Sequence, residues 1–142
     1  MKITTLDHRN LLMGLGLIPF IACATLLSFG INTLGLLGSV SFILMSYTLA
    51  IIAFMSGVLW GQALSQFTSL PLKLCSNAIV IVAWLTFLCQ CYRSFMVIAI
   101  IAFIVLVVID GYLYRDKVID KGYLICRIAI TTVVIISLIV AF

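Results

Sequence analysis

Polar cover is what this chain lacks. Charged residues make up 8% of its 142 positions and hydrophobic ones 65%, where a soluble domain runs about 25% and about 45–50%. A packed globule of that composition would present hydrocarbon to water, so a water-soluble fold is excluded and a bilayer is the fitting solvent. The mean hydropathy of +1.40 says the same. No stretch outside the apolar runs is long enough to bury a core of its own, which excludes a soluble second domain. No linker, low-complexity tract or internal repeat is visible. Strict apolar/polar alternation is missing too, and with it the pattern of a membrane β-barrel. Histidine occurs once and cysteine five times, without the paired spacing that a metal site needs.

What is present is five long apolar runs, at 11–29, 40–66, 74–91, 95–113 and 123–142. A helix needs about 20 apolar residues to cross a hydrocarbon core of about 30 Å. The expectation is therefore an all-α integral membrane bundle of five transmembrane helices, a single domain over 1–142. Breakers separate the runs: Gly30, Asn32, Gly35 and Gly38; then Ser69, Leu70 and Pro71; then Tyr92, Arg93 and Ser94; then the charged stretch 115–121. The second run exceeds the bilayer, so it tilts or leaves the membrane as an interfacial helix around 62–67. The first is too long for a signal-peptide core and has no small-x-small cleavage site after Pro19, so it is read as a retained span.

Basic residues set the orientation. Lys2, Arg9, Lys73, Arg115, Lys117 and Lys121 fall on the N-terminal side of the alternating loops and Arg93 alone on the other. This puts the N-terminus in the cytoplasm and the C-terminus outside. The net charge of +4 is thereby assigned to topology and anionic lipid rather than to nucleic acid.

Only Asp110 and Arg127 place an ionisable group inside an apolar run. Each costs several kcal/mol there unless it pairs, faces water or snorkels. At 1.5 Å per residue both lie about one helical turn below the same cytoplasmic surface, a depth that permits an ion pair across adjacent antiparallel helices. The pair reads either as a structural clasp or as a proton-handling or anion-binding site. Tyr114 at i+4 from Asp110 and Tyr123 at i−4 from Arg127 share faces with the charges, or else belong to an interfacial aromatic belt. Trp60, Gln62 and Gln66 from the second run, and Asn77 opening the third, gather in the same leaflet. The candidate site is thus a one-sided polar cluster of Asp110, Arg127, Tyr114, Tyr123, Trp60 and Gln62.

The second run also carries Ala53, Gly57, Gly61 and Ser65 at i+4 spacing. Such a row lets two helix backbones approach closely, and is expected to seat a neighbouring helix of the bundle or, alternatively, a second copy of the chain. Gly14-Leu-Gly16 is not followed by Gly-Lys-Ser or Gly-Lys-Thr, so no phosphate loop is read there, and a bend near Pro19 is expected instead. The Asp7-His8-Arg9 head has no nucleophile linked to it and reads as solvated. Cys89-Gln-Cys91 is the best metal candidate, but on a helix i and i+2 point about 200° apart. The cysteines are read as small apolar side chains, and no metal or cofactor is expected.

Taken together, Gly16-Leu-Ile-Pro19-Phe20, Tyr47 with Ile51, Phe54, Gly57 and Trp60-Gly61, then Trp84, Asp110, Tyr123 and Arg127 resemble the DUF3429 family of small multi-span membrane proteins, to which the mitochondrial transmembrane protein 69 of animals is similar. The resemblance covers nearly the whole chain and is densest from Tyr47 to Gly61. It implies a small helical protein of bacterial inner membranes, mitochondrial in the eukaryotic relatives, and carries no biochemical activity. Three functions stay open: a non-enzymatic accessory or assembly factor for a larger inner-membrane complex, a small oligomeric proton or solute carrier using Asp110 and Arg127, and an interfacial enzyme or binder of a lipid or quinone-like amphiphile. The first is favoured by small size and one-sided polarity. Membrane lipids, a larger complex or a second copy are the expected partners.

Overall fold

A computed structural model describes the chain over residues 14–65 and 70–142. The Asp7-His8-Arg9 head, Lys2, the start of the first run and the 66–69 turn lie outside the described residues, as do the side chains of Ser65, Pro71 and Lys73. The described elements are α1 (Ile18–Ser28), a single 3-10 turn (Gly35–Leu37), α2 (Val40–Ser65), α3 (Leu70–Leu88), α4 (Tyr92–Arg115) and α5 (Lys121–Val140). Every regular element among the described residues is helical.

α2, α4 and α5 supply stretches long and apolar enough to cross a membrane: Val40–Gln62, Tyr92–Arg115 and Lys121–Val140. The expected spans at 11–29 and 74–91 take the form of shorter apolar helices, Ile18–Ser28 and Leu74–Leu88. For α1 the reason is local. Gly16 and Leu17 form a turn, Pro19 sits in the first helical turn where its missing N–H costs nothing, and 11 residues reach only about 16 Å. Its far end closes at Gly30, whose φ of 74° lets Gly30 N and Ile31 N donate back to Leu27 O and Leu26 O.

Two expected breaks move. Leu70 and Pro71 form the first turn of α3, a position proline tolerates. Tyr92, Arg93 and Ser94 open α4 rather than break the chain. The turn falls on 89–91, where Gln90 takes a φ of 52° and Cys91 is extended, because the Tyr92 phenol is held against α5, donating to Ala141 O at 2.7 Å. α5 begins at Asp120, whose carboxylate accepts from Gly122 N at 2.9 Å.

The helices pack as a closed circuit, α1 on α2, α2 on α3, α3 on α4, α4 on α5 and α5 on α1, with α2 also against α4. The inner face of α2 is Val40, Leu44, Thr48, Ile52, Ser56 and Leu59; that of α4 is Phe95, Ala99, Ala102, Leu106, Asp110 and Leu113. Phe20 locks α1 in place, its ring 5.2 Å from Tyr47 and 6.3 Å from Phe103 in edge-on contacts. The Tyr47 hydroxyl then donates to Gly16 O at 3.0 Å, satisfying a carbonyl at the turn ahead of α1. The outer surface is Ile, Leu, Val, Phe and Trp, which suits lipid as solvent.

Candidate functional site

The α4–α5 hairpin brings the two intramembrane charges together. Arg127 Nε donates to Asp110 Oδ2 at 2.8 Å, and the side chains are 3% and 1% exposed. Arg127 Nη1 turns to the sulfur of Met55 on α2, and its guanidinium carbon lies 5.9 Å from the Tyr123 ring centroid. One guanidinium thereby joins three helices. Asp110 Oδ1 is buried without a hydrogen-bond partner. Desolvating two ions costs several kcal/mol each, which only good pair geometry offsets, so this arrangement resists losing either member.

The other members of the expected cluster separate. Tyr114 lies on the outer flank of α4, 40% exposed, since i+4 advances 40° beyond Asp110 while the buried face continues through Leu113. Trp60 faces outward and lines a different feature. Tyr123 stays near the pair, and Gln62 is half-buried near the end of α2. Met55 was not legible as a site residue, because a methionine in an apolar run carries no signal of its own.

That other feature is a groove of about 320 Å³ between α2 and α3, lined by Ala53, Ser56, Gly57, Trp60, Ser76, Asn77, Val80 and Ile81. Ser76 Oγ donates to Ser56 O at 3.0 Å across its floor, and Ser56 Oγ is buried without a partner. Since Met55 and Ser56 are consecutive, the groove and the ion pair occupy adjoining faces of α2 at one depth.

Ala53 and Gly57 of the small-residue row line the groove. Ala53, Gly57 and Gly61 are exposed, and a Cβ added at Gly57 or Gly61 would meet nothing within 4 Å. The face that packs inward is the neighbouring i+4 series, Leu44, Thr48, Ile52 and Ser56, about 100° away.

Neither a curated protein nor a solved structure matches the chain. A family model, "Protein of unknown function (DUF3429)", matches residues 8–142. The residues that carried the resemblance also meet in space, with Phe20 on Tyr47, Tyr47 on Gly16 and Arg127 on Asp110, and the chain belongs to the DUF3429 family.

Proposed function

We propose that this protein is a non-enzymatic accessory or assembly factor of a larger complex in the cell inner membrane, embedded there by five spans with its N-terminus cytoplasmic and its C-terminus outside. The observation that supports this reading is the outward row Ala53, Gly57 and Gly61, with open space over both glycines. Helix association in lipid depends on close backbone approach, so an uncovered small-residue row suits the transmembrane helix of a partner. The sealed Asp110–Arg127 pair then serves as a clasp that keeps α2, α4 and α5 in register.

The test is extraction of the tagged protein in mild detergent at native expression level, followed by native mass spectrometry. A larger partner at fixed stoichiometry, lost in Gly61→Leu, supports the reading; a lone monomer or homo-oligomer overturns it. A second reading, proton or solute movement, is favoured by the unpartnered Asp110 Oδ1. It requires flux into liposomes by the purified protein, abolished by Asp110→Asn.

A further inference from the structure

We propose that the groove between α2 and α3 binds the headgroup of a neutral membrane amphiphile, a flat carbonyl-bearing ring of the quinone class. The groove shares Ala53 and Gly57 with the row of the partner reading, but Gly61, the position substituted to test that reading, lies outside it, so Gly61→Leu and Ser56→Ala separate the two.

Four observations carry it. The first is the volume, about 320 Å³, at the lower end of small-molecule sites; it accommodates one ring and the root of a tail rather than the headgroup and two chains of a phospholipid. The second is the lining, which contains no Asp, Glu, Lys or Arg. Ser56 lies six residues, about 9 Å, from the Gln62 end of its candidate span, where an unpaired charge would not be tolerated. The third is the Ser56 hydroxyl, a buried donor with no acceptor on a residue that is 2% exposed and lines the cavity. The neighbouring Ser76 hydroxyl donates to the Ser56 carbonyl, and no hydrogen bond joins the two hydroxyls. An acceptor such as a ring carbonyl completes the set, with the Asn77 amide as a further donor. The fourth is the slot itself. Gly57 leaves open space in a lining that it shares with Trp60, room for a planar ring, and Ile81 offers an apolar wall for the tail.

The chain has two tryptophans, which makes the test direct. Trp84 is 50% exposed, so Trp84→Phe leaves Trp60 as the sole indole at little cost to packing. In this background, decylubiquinone titrated into the protein in detergent micelles is expected to quench Trp60 fluorescence saturably. Ser56→Ala should weaken the apparent affinity about tenfold, the loss of one hydrogen bond to a buried donor. Ile81→Trp, which fills the groove, should abolish saturation, while Ser137→Ala, a buried serine on α5, should leave the curve unchanged. Unfolding midpoints of the variants confirm that each is folded, and Ser56→Ala decides the matter if Ile81→Trp does not fold. Linear, collisional quenching that is the same in wild type and Ser56→Ala overturns the proposal. So does a phospholipid that survives into native mass spectra and is lost in Ile81→Trp while the quinone leaves no saturable signal.

Discussion

At Asp110 and Arg127 the energetics are asymmetric. With side chains 1% and 3% exposed and a 2.8 Å contact, each ion is the other's main compensation. Asp110→Ala strands a buried guanidinium and is expected to lower stability by about 3–5 kcal/mol, whereas Asp110→Leu with Arg127→Leu together should cost far less. Unfolding of single and double variants in mixed micelles measures the difference, and equal losses would mean that the two charges are not coupled. A smaller effect belongs to Tyr47, whose hydroxyl donates to Gly16 O. Tyr47→Phe keeps the ring contact with Phe20 and should cost about 1 kcal/mol, with the loss appearing as easier proteolysis near the α1 turn. The existence of the charge pair could be read from the sequence, since two ionisable residues at one depth leave few alternatives. Met55 and Ser56 could not, because their roles depend on which face of α2 turns inward.

That choice of face is the chief element-scale ambiguity. α2 carries two interleaved i+4 series, Leu44, Thr48, Ile52 and Ser56 beside Ala53, Gly57 and Gly61. In water the more apolar series would be buried, but lipid and protein interior are nearly equal solvents for hydrocarbon, so composition does not choose between them. Apart from the start of α1, helix positions were legible within a few residues for the same reason that their faces were not: the hydrophobic requirement acts on length. The charged stretch 115–121 marked its turn correctly, whereas the 89–91 turn was placed at 92–94 because nothing in Gln90 announces the positive φ that it adopts; two of the turns thus place residues other than glycine at positive φ. Lys117 is one, at 59°, closing α4 as Lys117 N and Val118 N donate to Tyr114 O and Leu113 O. A left-handed non-glycine costs about 1 kcal/mol, so Lys117→Gly should raise the unfolding free energy by up to about that amount. A fall in stability would show that the lysine makes a compensating contact.

Across the whole molecule polarity is segregated by end. The Asp110–Arg127 pair, the groove and the charged 115–121 turn lie toward one end, where α2 and α4 finish and α3 and α5 begin. Toward the other lie the 89–91 turn, Arg93 over the Phe142 ring at 5.9 Å, and a 29–39 loop whose Phe29, Leu36 and Leu37 are uncovered. Such a loop would avoid water by resting at the headgroup and acyl boundary, and it carries no Lys or Arg that would hold it in the cytoplasm. With six basic residues assigned to the opposite side, the 89–91 end should face outward. Cys89 and Cys91 report on this directly, because both are exposed there, while Cys23 is buried and Cys75 and Cys126 are partly so. A membrane-impermeant maleimide added to intact spheroplasts should therefore label the wild type, and Cys89→Ser with Cys91→Ser should remove the signal. Labelling found only in inverted vesicles would reverse the orientation, move the ion pair and groove to the outer leaflet, and require that a partner or amphiphile approach from that side.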